Sequence, residues 1–273
     1  MNLTDITNEY DKVCPVCAGY SNEEKGFENP FTKDEEDKII EDIYEGVTDI
    51  HDLPESLYTR TSSVLITNVY NGYGSPIPGD LLIKELTHNI YVFSAAKTYQ
   101  QVNSISELLV KYPKRKDLFV KAAKDIFKDY NKTWLDAEAD NAYGSALQAR
   151  KWTYIEKDKK TLSFLEYQTA GDARVRPTHA ALDGITRKVD DQFWNLYYPP
   201  NGWRCRCIAI QHHSVAQVTP MKGFKAPDDV PELFRMNVGK DGYIFKPDHP
   251  YFIVPKGDKE WAKQNFGLQI PTK

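Results

Sequence analysis

The sequence predicts an α+β protein: a helical N-terminal half with a long helix, followed by a small antiparallel-sheet module and an extended Pro-rich tail. Three observations predict it. Apolar residues recur at helical spacing from Asp80 to about residue 150. At Lys151 the pattern changes to short aromatic, β-favouring runs, and beyond residue 213 prolines recur at close intervals.

Taken in order, residues 1–31 read as an irregular N-terminal arm, polar and broken by Gly19, Gly26 and Pro30, that carries the Cys14-Pro-Val-Cys17 pair. Residues 32–150 read as the helical region. Thr32 is placed to cap a first helix, Asp34, Glu35 and Glu36 favour its positive end, Ile39, Ile40, Ile43 and Tyr44 form its stripe, and Gly46 stops it. A second helix is expected after Pro54, and "NGYGSPIPGD" is a loop. Leu82, Leu86, Ile90 and Phe93 give the next helix one buried face. After the Pro113 break, Leu118, Ala122, Ile126, Tyr130 and Trp134 run at four-residue spacing, and "NKTWLDAEADNAYGSALQARKW" extends the pattern to a helix of about 35 residues. Such a helix lines the core of a bundle or serves as a strut in an assembly.

Residues 151–213 read as the α+β module. "KWTYIEK" and "LSFLEYQT" suit two strands of a hairpin with "DKK" at the turn, and "GDARVRPTHAALDG" mixes a turn with one helical turn. "DDQFWNLYYPPNGW" is a loop with apolar anchors, "PPNG" is a turn that delivers Trp203 into an aromatic cluster with Phe193 and Trp194, and "RCRCIAIQ" is a strand. Residues 214–273 form the extended tail.

The chain has 273 residues, 41% hydrophobic and 27% charged, with a net charge of −4. This is enough apolar surface for a core, and the acidic balance does not support general DNA binding. No apolar run approaches a membrane span, and the N-terminus has neither the basic nor the apolar region of a secretory signal, so a cytoplasmic setting is expected.

Four cysteines in a chain of this length make no disulfide scaffold. A strand over "RCRCIAIQ" puts Cys205 and Cys207 on one face with Ala209, close enough to share a ligand but poorly placed for a mutual disulfide. With the C-x-x-C pair they complete a four-thiolate set, Cys14, Cys17, Cys205 and Cys207, suited to one structural zinc. The alternatives are four reduced, incidental cysteines or a redox role, and the second lacks the strand-to-helix setting that such chemistry uses. His212 and His213 are further metal-ligand candidates or surface histidines. His179 and Asp183, four apart, are expected to pair on a helix. With Arg174 and Arg176 they would form a phosphodiester-cleaving set, His179 acting as base, or a structural set holding a loop. The enzyme alternative is thus a small nuclease or toxin-like domain.

The string "AYGSALQARKW", then "VRPTHAALDG", then "DDQFWNLYYPPNGWRCRC" resembles the Mu F-like minor head protein family, the head morphogenesis proteins of tailed bacteriophages and prophages. Its pattern of Arg-x-x-His, an Asp or His before Gly, an Asp with an aromatic pair, and a Pro-Pro-Asn-Gly-Trp-x-Cys-Arg-Cys finish is met by Arg176, His179, Asp183, Gly184, Asp191, Phe193, Trp194, Pro199 to Trp203, Cys205, Arg206 and Cys207. The resemblance covers residues 135 to 210. It implies a minor capsid component found in the virion, and in the host cytoplasm during assembly. It further implies that the protein acts structurally with the portal protein, and with major capsid or scaffolding protein as further partners. It brings no catalytic residues, and the Cys14–Cys17 pair is not part of it.

Overall fold

The computed structural model describes residues 27–266, apart from 78, 216–217, 221–226 and 228–229. It is α+β, as the sequence predicts, and divides into two compact units. One contains residues 27–143 and 242 onward; the other contains residues 144–241. The division falls inside a helix, at Tyr143 and Gly144, and not at the change of composition at Lys151.

In the first unit α1 (Lys33–Tyr44) starts at a full capping box. The Thr32 hydroxyl accepts from the Glu35 amide, the Glu35 carboxylate accepts from the Thr32 amide, and Gly46, at φ 71°, takes the chain away from the helix. Next come α2 (Glu55–Tyr73) and α3 (Leu81–Lys111), the latter capped by Asp80 and stopped before Pro113. α4 (Lys116–Lys128) passes without a break through a π-helical segment (Asp129–Trp134) into α5 (Leu135–Asp158). Ile39, Ile40, Ile43, Leu57, Val102, Ile105, Phe119 and Phe127 pack one core, closed by Phe31 edge-on to Phe127 at 5.3 Å. Among the described residues no helix is long and apolar enough to cross a membrane.

The stripe expected on α4 is displaced by one residue. Leu118 and Trp134 are exposed, Ala122 and Ile126 are partly buried and Tyr130 is buried, while Phe119, Ala123, Phe127, Asn131, Leu135 and Ala139 form a fully buried row, still at steps of four. Each four-residue step overshoots a 3.6-residue turn by about 40°, so a straight α-helix cannot keep such a run on one face. The wider π-turn at Asp129–Trp134 absorbs the drift. Both spacings exist in the sequence, and the larger aromatic at Phe119 and Phe127 takes the interior.

The tail of this unit is laid along α3 by side chains of the helix. Asn89 Oδ1 accepts from the amides of Ile244 and Phe245 while its Nδ2 donates to the Phe245 carbonyl, and Gln100 Nε2 donates to the carbonyls of Tyr251 and Ile253. Phe245 stacks on Phe93 at 3.6 Å. The tail is less irregular than its prolines suggest, with 3-10 turns at Pro250–Phe252 and Lys256–Asp258 and a terminal helix (Lys259–Phe266).

In the second unit α5 runs on to Asp158, so "KWTYIEK" is helical and not the first strand of a hairpin. Ala142, Ala146, Ala149, Trp152 and Ile155 are buried at spacings of three and four, and that face overrides the β preference of the aromatics. The sheet has three antiparallel strands in the order β2-β1-β3: β1 (Phe164–Gln168), β2 (Thr186–Lys188) and β3 (Ile208–His212). Leu165 and Tyr167 of β1 face inward. Two short helices, α6 (Pro177–Ala180) and α7 (Phe193–Leu196), lie in the connections. Asp191 holds the second: Oδ1 accepts from the Phe193 amide and Oδ2 from Arg187. Phe193 and Trp194 meet edge-to-face at 4.8 Å, and Trp203 packs at 5.1 Å on Phe234, so the aromatics here serve packing.

Candidate metal centre

The strand expected over "RCRCIAIQ" begins only at Ile208. Cys205 and Cys207 precede it, in a turn closed by the Cys205 amide donating to the Gly202 carbonyl at 3.2 Å, with Arg204 in the left-handed region at φ 55°. The turn therefore lies three residues beyond the expected "PPNG" position, because Asn201 is fully buried and its side chain is spent on other partners. Strand alternation does not align the two thiols; the turn does, and it aims both at one point.

That point is His179. Its Nδ1 lies 3.4 Å from Cys207 Sγ and 3.6 Å from Cys205 Sγ, and the three donor atoms all fall within 4.8 Å of one another. Pro177 opens α6 at its first helical position and sets the turn that turns His179 inward, where it is 2% exposed. The ring Nε2 is 3.2 Å from the Asn201 carbonyl. A carbonyl only accepts, so Nε2 donates to it and Nδ1 is the ring atom that faces the sulfurs.

Asn201 fixes this geometry from below. Its Oδ1 accepts from the Tyr167 hydroxyl at 3.1 Å, and its Nδ2 donates to the Phe234 carbonyl at 3.0 Å. The hydrogen bond from Cys207, with help from His179, draws Cys205 well below the ordinary thiol range, while the same contact and burial push Cys207 up. Burial and the neighbouring thiols push Tyr167 up as well, keeping its hydroxyl protonated to donate.

The charged residues expected to act with His179 are otherwise engaged. Asp183 accepts from the amide and hydroxyl of Thr169 and does not pair with His179. Arg174 bonds Asp172, and Arg176 donates to the Trp203 carbonyl at 2.7 Å. Arg206 forms a bidentate pair with Asp172 at 2.5 and 2.6 Å, which holds the Asp172 carboxyl below the usual carboxylate range. His212 pairs with Glu166 at 3.0 Å on the sheet, and His213 is exposed. Cys14 and Cys17 lie outside the described residues.

The group that converges is therefore His179, Cys205 and Cys207, an imidazole and two thiols able to hold a metal ion. His179 as a donor and Asn201 as its support were missed from sequence. A His and a C-x-C within one short module was the available signal, masked by the closer Asp183.

An α+β module built on a long helix and organised around a His-Cys-Cys cluster is the class that fold and site define. Residues 96–210 match the model of the Phage Mu protein F like family, and over this region the chain is similar to it. It is similar to "Putative capsid assembly protein F" of Escherichia phage Mu, 48% identical over 66 residues, which is 24% of this chain and 14% of that one. It is also similar to the Mu-like prophage FluMu F protein of Haemophilus influenzae, 33% identical over 76 residues, 28% of this chain and 17% of that one. The chain thus spans only a small part of the length of these relatives. No solved structure matches it.

Proposed function

We propose that this chain is a structural head-assembly component of a tailed bacteriophage or prophage. In this reading it works at the portal vertex with the portal protein, in contact with major capsid or scaffolding protein, and ends in the virion. One observation carries the reading: the Mu F-like match runs from α3 to the end of the sheet and includes His179, Cys205 and Cys207. A matched relative bears a capsid-assembly name. The structure supports a non-enzymatic role, since the arginines and Asp183 that would serve a nuclease are bound to their own partners.

Within this role the cysteine cluster holds one structural zinc. Thiolate and imidazole donors favour zinc over the oxygen-seeking cations, and a buried ion clamps α6, the Gly202–Cys205 turn and the start of β3 together. The four-thiolate set Cys14, Cys17, Cys205 and Cys207 is one way to complete it.

Co-expression with the portal protein of the same genome, followed by size-exclusion chromatography with mass determination, tests the assembly role. Co-elution at a defined stoichiometry is the expected result. Separate elution of a folded monomer would count against it.

A further inference from the structure

A tetrahedral ion with bonds of about 2.0–2.3 Å has its donors roughly 3.3–3.8 Å apart. The separations from His179 Nδ1 to Cys207 Sγ and Cys205 Sγ, 3.4 and 3.6 Å, are edges of such a tetrahedron, and the three donors lie within 4.8 Å of one another. Each donor is held by a different part of the module. α6 carries the histidine, the turn closed on Gly202 carries Cys205, and Cys207 leads into β3. The ring's other nitrogen is committed to the Asn201 carbonyl, the outer contact that orients metal-bound histidines. Two sulfurs this close can both ionise only beside a cation, and the neighbouring guanidinium, Arg206, is already engaged by Asp172.

We propose that His179 is a metal ligand through Nδ1, and that with Cys205 and Cys207 it forms a centre that holds zinc on the donors of residues 144–241 alone. The inference rests on the zinc reading above and deepens it by naming the ligands. A nitrogen stands in this set where the four-thiolate arrangement has only sulfur. The support is geometric: the three donors converge in the fold, with no further residue needed to aim them. His179 and Cys207 are 2% and 4% exposed, so their corners are sealed. Cys205 is half-buried, the donor that meets solvent, and the ion's way in lies on its side.

Elemental analysis, zinc-edge X-ray absorption and long-range proton–nitrogen NMR of the full chain test it. One zinc per chain is expected, with at least two sulfurs and one imidazole nitrogen in its shell, and with the metal on His179 Nδ1 rather than Nε2. Cys14→Ser/Cys17→Ser should keep its zinc and its metal-bound Nδ1. His179→Ala should lose zinc at lower chelator concentration than wild type. His179→Cys should keep zinc and exchange the nitrogen for a sulfur, which keeps the test open should His179→Ala fail to fold. A wild-type shell of sulfur alone, or a metal-free Nδ1, overturns the role of His179 and leaves the zinc reading standing. Loss of zinc from the Cys14 and Cys17 double variant overturns the sufficiency of the three donors. A folded, zinc-free wild type overturns the zinc reading itself.

Discussion

At Asn201 one buried amide joins three parts of the module: Tyr167 of β1 through Oδ1, the Phe234 carbonyl through Nδ2, and His179 through its own carbonyl. Removing the amide takes the oxygen acceptor from the buried Tyr167 hydroxyl and the side-chain donor from the Phe234 carbonyl, and each such loss costs about 1–3 kcal/mol. Asn201→Ala is expected to lower unfolding free energy by about 3 kcal/mol in urea titrations followed by fluorescence. An unchanged midpoint would show that the amide bonds contribute nothing. The sequence marks Asn201 only as a turn residue, because its turn preference is local while its partners lie 33 and 34 residues away along the chain.

Between the long helices the decisive pair is Lys97 of α3 and Glu138 of α5, bonded to each other at 1% and 3% exposure. Burial pulls the lysine down and pushes the glutamate up, each toward its neutral form, and the partner offsets the shift. Lys97→Met alone strands a buried carboxylate, and a loss of about 3–5 kcal/mol is expected. Lys97→Met with Glu138→Leu removes both charges and should fall within about 1 kcal/mol of wild type or above it. A double variant as unstable as the single one would show that the pair stabilises the bundle outright. Thermal melts of the three proteins decide. A second close point is Gly72 of α2, where an added Cβ would meet the Tyr143 carbonyl oxygen at 2.1 Å. Gly72→Ala is expected to cost about 1–3 kcal/mol and to lower the melting temperature. Helical periodicity forecast these helices, but not which face carries the ion pair.

For the molecule as a whole, acid is the informative stress. His249 is 7% exposed beside Lys97, and burial with the nearby ammonium pushes its pKa down to about 4, against a nearby Asp248 that raises it. The unfolded chain binds a proton there near pH 6.5 and the folded chain does not. Stability from this group is therefore complete above pH 6.5 and is lost as pH falls toward 4, by up to about 3 kcal/mol. His249 Nδ1 also accepts from the Tyr251 amide at 3.2 Å, a cap that asparagine can imitate. His249→Asn should flatten the dependence of the urea midpoint between pH 7 and pH 5. An equally steep slope in the variant would assign the acid loss elsewhere.

The sequence by itself determined the class of fold, the capped first helix, the break at Pro113, the shift from helix to sheet and the closeness of Cys205 and Cys207. These follow from residues near one another in the chain, where periodicity, caps and turn formers act directly. Tertiary structure decided the rest. It chose Phe119 over Leu118 for the interior, because a π-turn lets a four-residue repeat stay on one face. It carried the helix through Trp152, because burial outweighs a local β preference. It turned His179 from Asp183 to the cysteines, because the Asn201 carbonyl holds the far side of the ring and Thr169 holds the carboxylate. Sequence spacing placed His179 beside an acid, and only the closed fold placed it between two sulfurs.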